Sequence, residues 1–135
     1  MIELKNNPEM IEVMAREIIG RDMVLDEFSG LYRGPIKRIG VTVKDWAPTN
    51  RQELKPTPCL YFDLEWFAVD TQLGWKIEEE DPESGVRLII IPIDSITLIR
   101  NQDRAYHLIF PEEGAINIFP PGSENNLIRE NIISP

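Results

Sequence analysis

The stretch Val86 to Arg100, VRLIIIPIDSITLIR, constrains most tightly what this chain can fold into. Nearly every side chain in it is apolar or β-branched, so its backbone expects cover on both faces. Such a run reads as the centre of a β-sheet, with the rest of the chain extending or covering it. Pro92 has no N–H to give a ladder, so the run should break there. The expected pieces are a strand over 86–91, a turn over Pro92 to Ser95 and a second strand over 96–100.

The remaining pattern is consistent with that centre. Cys59 to Val69 alternates strictly, with Leu60, Phe62, Leu64, Trp66 and Ala68 on one face, which predicts one long strand. Leu31 to Lys44 reads as extended, with bends or bulges at Gly34-Pro35 and Gly40. Trp75 to Glu80, Ala105 to Phe110 and Ala115 to Phe119 complete the strand set, the first closed by the turn Asp81 to Gly85. Arg21 to Phe28 is read as a short extended piece or a loose turn. Asp45 to Pro58 carries three prolines and few apolar residues, which predicts a loop.

Ahead of the strands, Asn7-Pro8-Glu9 forms a helix start: a capping residue, a proline whose missing N–H costs nothing there, and an acid at the positive end of the dipole. Met10, Ile11, Met14, Ile18 and Ile19 recur at helical spacing, and Gly20 can close the helix. The expectation is an amphipathic helix over 8–19. Together these readings predict a mostly-β fold: a small, partly open antiparallel barrel of about six or seven strands with an N-terminal helix. Residues 1–119 form one domain, with the barrel over 31–119, and 120–135 form a C-terminal tail.

Charge narrows the function classes. The formal net charge is −9, which argues against non-specific binding to nucleic acid or anionic membranes. The segment 31–55 runs against that total: Arg33, Lys37, Arg38, Lys44, Arg51 and Lys55 outnumber Asp45 and Glu53. The N-terminus, MIELKNNPEM, has neither a basic start nor an apolar core, which predicts a cytoplasmic protein. No apolar run approaches the length that spans a bilayer. The single Cys59 cannot form an internal disulfide or a cysteine-based zinc site.

A short helix, a bent strand, an acidic hairpin and an apolar strand breaking into a second one together resemble the Sm-like small β-barrel. The closest local likeness is Gly85 to Ile99, where one strand ends, a tight turn follows and a short strand crosses. The resemblance covers roughly residues 8–100. It implies ring assembly and binding of single-stranded RNA through paired loop signatures. Phe62-Asp63 echoes the aromatic-Asp pair of the first signature, whereas Ile91-Pro92 stands where the second would carry Arg-Gly. Strands over 105–110 and 115–119 exceed a five-stranded barrel.

Few residues point to chemistry. His107 is the only histidine, in an alternating strand with no nucleophile placed beside it by sequence, and it reads as half-buried and structural. Cys59 has no electropositive signature of an activated thiolate. Asp63 and Glu65 would lie about 7 Å apart on one strand face, where paired carboxylates can hold a metal or run acid–base chemistry. Glu78 to Glu83 lacks the ligand alternation and distal Glu of a calcium loop. Trp46, among Lys37, Arg38, Lys44 and Arg51, has the mixture that base stacking and phosphate contact require, or could plug one end of the barrel.

Three function classes follow. The first is a non-enzymatic interaction domain, with no cofactor, that binds a protein partner or copies of itself. The second is a single-stranded RNA or DNA binder using Lys37, Arg38, Lys44, Trp46 and Arg51. The third is a carboxylate-dependent hydrolase with a metal held by Asp63 and Glu65.

Overall fold

The structure, a computed structural model of the 135-residue chain, describes residues 1–27, 30–46, 53–71, 74–77, 86–110, 114–122 and 132–133. The chain opens with strand β1 (Ile2–Glu3), a 3-10 turn (Leu4–Asn6) and helix α1 (Glu9–Glu17). Pro8 already has helical dihedrals (φ −63, ψ −21), so the expected start holds. The far end is shorter than the predicted 19. Gly20, at φ +85, turns the chain out, and its N–H donates to the Ile36 carbonyl at 2.7 Å. Ile19 therefore leaves the apolar stripe and stands 48% exposed, while Ile11, Met14 and Ile18 are buried.

Strands β2 (Asp22–Glu27) and β3 (Gly30–Trp46) follow, then β4 (Lys55–Leu64), β5 (Ala68–Thr71), β6 (Gly74–Ile77), β7 (Val86–Pro92), β8 (Thr97–Arg100), β9 (Tyr106–Phe110), β10 (Gly114–Ile118) and β11 (Ile132–Ile133). The protein is mostly β, a strongly curled, open antiparallel sheet with one helix. Among the described residues there are eleven strands, against an expectation of about six or seven. Part of the surplus comes from very short strands. The rest comes from the division of the expected 59–69 strand into β4 and β5, and from Asp22–Glu27, where the short extended piece read within 21–28 is a six-residue strand, β2.

The centre of the sheet is β3, not Val86 to Arg100. Its first half pairs with β2 (Asp22↔Pro35 through Glu27↔Gly30) and with β5, and its second half pairs with β4 from Ile36↔Leu64 to Trp46↔Lys55. The change of partner coincides with a bulge between Ile36 and Arg38, which bends the strand from one side of the sheet to the other. The run 86–100 does break at Pro92, with a 3-10 turn over Ile93–Ser95. Its halves then serve different sides: among the described residues β7 pairs only with β4, and β8 lies between β1 and β9. Around this corner the run lines the core, where Ile91, Ile96 and Leu98 are buried.

The long strand expected over 59–69 is two strands. β4 ends at Leu64, and the Glu65 N–H donates to the Pro35 carbonyl at 3.1 Å. The chain crosses there directly over Gly34, where a Cβ would run into the Trp66 carbonyl oxygen and lie 3.1 Å from Leu64 Cδ1. Period-two alternation continues through the break because β5 is also a strand, so the sequence hides the corner.

One core holds the molecule together. Leu4, Ile11, Met14 and Ile18 from the N-terminal segment pack with Met23, Leu25, Ile36, Phe62, Leu98, Tyr106, Leu108 and Ile116. Each large aliphatic side chain buried this way contributes about 1.5–3 kcal/mol relative to exposure. No described helix is long and apolar enough to cross a membrane. Of the expected tail, Ile132–Ile133 pairs in parallel with Trp75 and Lys76 of β6, and residues 123–131 lie outside the described residues.

Candidate functional site

The second half of β3 outruns the sheet. β7 covers β4 only as far as Cys59, opposite Pro92, so among the described residues Val43 to Trp46 and Lys55 to Pro58 form a two-stranded ribbon that prolongs the sheet. The region predicted as a loop from Asp45 is strand up to Trp46 and again from Lys55. Its prolines mislead because Pro56 and Pro58 sit on an edge, where a missing N–H breaks no inner ladder. At the ribbon's root, Gly40 faces Tyr61; a Cβ there would stand 2.8 Å from Tyr61 Cε1, so the ring needs the glycine.

Alternation gives the ribbon two unlike faces. One continues the face of the buried Ile39 and Leu60 and carries Val41, 47% exposed, and Val43, 65% exposed, beside the exposed Pro56 and Pro58, with the exposed Asp45 at its outer end. Leu54, 67% exposed, precedes the returning strand. The other face carries Arg38, Thr42, Lys44 and Trp46, with Trp46 opposite Lys55.

The candidate nucleic-acid residues are therefore spread along this second face. Lys44 and Trp46 stand together near the tip, Arg38 lies about 20 Å back toward the root, and Lys37 occupies the bulge. Arg51 lies outside the described residues. Trp46 is half-buried and does not belong to the core cluster. Arg38 Nε meets Asp63 Oδ2 at 3.1 Å, so a candidate phosphate contact and a candidate metal ligand bind each other. Glu65 stands exposed in the bend beyond β4 and does not continue the strand face of Asp63, the placement expected from alternation. Among the described residues, no three His, Cys, Asp or Glu side chains group so as to hold a metal ion.

His107 is held at both ring nitrogens, Nδ1 with Asn117 Oδ1 at 2.5 Å and Nε2 with Asn101 Nδ2 at 2.8 Å. An amide oxygen accepts and an amide nitrogen donates, so this geometry places the proton on Nδ1. Cys59 is fully buried; burial pushes its thiol above the ordinary range against the pull of Lys44.

Two polar groupings escaped sequence reasoning. Arg33 Nε donates to Asp22 Oδ2 at 2.7 Å, both side chains being buried. The guanidinium lies 5.4 Å from the Trp75 ring and 5.7 Å from Phe119. Asp22 Oδ1 and Arg33 Nη2 have no hydrogen-bond partner among the described residues. Burial pushes the Asp22 carboxyl up, with Arg33 opposing. In the second grouping the Tyr106 hydroxyl donates to Glu17 Oε2, while Arg100 reaches both, Nε to Tyr106 Oη and Nη2 to Glu17 Oε1, each at 3.0 Å. The Tyr106 hydroxyl, then Arg100, holds the Glu17 carboxyl below its usual range. Residues 17 and 106 are joined only by the tertiary fold, and no local spacing announces the pair.

No protein-family model, curated protein or solved structure matches this chain.

Proposed function

We propose that this chain is a non-enzymatic interaction domain that works by contact with a protein partner, above all with copies of itself. The observation that carries this reading is the face at the outer end of β3, where Val41 and Val43 stand 47% and 65% exposed in line with the buried Ile39. Single exposed apolar residues need no explanation, whereas a row of them beyond the end of the core suits an interface. Gel filtration with light scattering, recorded at 260 and 280 nm, tests it. The expected result is a mass above that of one 15.6 kDa chain with no excess absorbance at 260 nm. A monomer at every concentration would refute self-association.

A second reading, a single-stranded nucleic-acid binder of Sm-like type, draws on the ribbon's other face, where Trp46 has Lys44 on its own strand and Lys55 opposite. An aromatic ring between two cations suits base stacking with phosphate contact. The open, curled sheet is compatible with that architecture. This reading expects oligonucleotide binding at low salt, weakened by added salt and by Trp46→Ala; no binding at low salt ends it.

A further inference from the structure

We propose that the edge of β3 facing away from β4 pairs in antiparallel with the same edge of a second copy of this chain, across a two-fold axis at Thr42. The inference rests on the self-association reading and names its contact. Two prolines fix which way this backbone points. Pro58 and Pro56 stand opposite Val43 and Asp45, and neither has an N–H to give across the pair. Val43 and Asp45 therefore turn their own N–H and C=O away from β4, and alternation adds Val41. β4 and β5 hold one side of β3, where the Glu65 N–H meets the Pro35 carbonyl at 3.1 Å. On the other side β2 pairs as far as Pro35, and Gly20 and Arg21 bond Ile36 at 2.7 and 2.8 Å. Among the described residues, no strand pairs with that side from Arg38 to Trp46.

The two edges of the ribbon are unlike. Pro56 and Pro58 leave the outer edge of β4 without donors, the usual way to blunt an edge, whereas β3 from Arg38 to Trp46 has no proline. Such an edge meeting its own copy in antiparallel is self-complementary about a two-fold axis and closes a dimer. Side chains then select one alignment. The direction of the backbone groups allows the axis at any residue from Val41 to Lys44. An axis at Lys44 sets that lysine against the partner's Lys44, and one at Val41 sets Arg38 against the partner's Lys44, so like charges repel in both. An axis at Val43 puts Val41 against the partner's Asp45. An axis at Thr42 sets Val41 against the partner's Val43 on one face and Arg38 against the partner's Trp46 on the other, each contact made twice. It joins exposed valine to exposed valine and a cation to an aromatic ring, with the whole span from Arg38 to Trp46 paired.

The test uses the full chain. Val43→Pro removes an N–H from the outer edge and no bond to β4, so thermal unfolding of the monomer should stay close to wild type. In sedimentation equilibrium it should raise the dimer dissociation constant at least about tenfold. A cross-link reads the alignment without relying on that variant. Cys59→Ala first removes the thiol opposite Thr42 in its own chain. In that background Thr42→Cys should give a disulfide-linked dimer with oxidised glutathione, because opposed residues of a non-hydrogen-bonded pair bring their Cα atoms to about 4.5 Å. Lys44→Cys, about 13 Å along the strands from its own copy, should not. A monomeric wild-type chain overturns the inference together with the self-association reading. A wild-type oligomer in which Thr42→Cys forms no cross-link, or Lys44→Cys cross-links as well, overturns the inference alone. So does a folded Val43→Pro chain that associates as the wild type does.

Discussion

At Arg33 the guanidinium is committed inside the protein, with one carboxylate oxygen as its ion-pair partner and two aromatic rings beside it. A buried pair adds little net stability, but removing one partner strands a charge. Arg33→Met should therefore cost about 3–5 kcal/mol in urea unfolding near neutral pH. The pH dependence has a definite sign. Asp22 already has its carboxyl pushed up by burial, and losing Arg33 pushes it higher. A folded-state value above the unfolded one gives stability that is present at low pH and lost as pH rises through the folded value. Arg33→Met should accordingly be less damaging at pH 5 than at pH 8.

Glu17 behaves in the opposite sense. Tyr106 and Arg100 hold its carboxyl below the ordinary glutamate value, so its contribution is present above that ordinary value and lost as pH falls through the folded value. Glu17→Gln should cost about 1.5 kcal/mol at pH 7, the worth of a hydrogen bond to a charged group. Urea midpoints of the variant and wild type should converge in acid. Equal losses at both pH values would mean that packing, not charge, ties α1 to β8 and β9.

Among the elements, β3 carries the greatest burden, because its two halves serve opposite sides of the sheet. Its glycines differ in what they face. At Gly34 a methyl group meets the Trp66 backbone carbonyl, and at Gly40 it meets the Tyr61 ring, the movable end of a side chain. Gly34→Ala should therefore cost about 3 kcal/mol and Gly40→Ala nearer about 1 kcal/mol, the span typical of overpacking. Thermal unfolding of the two variants decides the order. A second contrast marks where the core stops along the strand. Ile39, 7% exposed, and Val43, 65% exposed, share one face. Ile39→Ala should cost about 2–4 kcal/mol and Val43→Ala less than about 0.5 kcal/mol. Similar losses would mean that the ribbon's face is covered within the monomer.

For the whole molecule, the local features that sequence could read are those that neighbours along the chain control. Pro8 starts the helix, Gly20 turns the chain out beyond its end, alternation from Leu60 to Leu64 makes a strand, and Pro92 breaks the apolar run, because propensity and a missing N–H act within a few residues. Lys44 and Trp46 were likewise recognisable as a possible surface. The amino-acid sequence by itself thus determined a mostly-β protein, with its helix and its main strand segments. Tertiary structure decided what no local rule contains. It decided that Leu64 is followed by a corner rather than more strand, because the chain must cross Gly34; that β3 rather than Val86 to Arg100 is the centre, because β3 changes partners midway; and that Asp22 meets Arg33, and Glu17 meets Tyr106, inside the fold. It also decided which apolar residues stay uncovered. Ile39 and Val43 are equivalent in the alternating pattern, but β7 stops at Pro92 opposite Cys59, and what β3 and β4 extend beyond that point has no third strand beside it among the described residues.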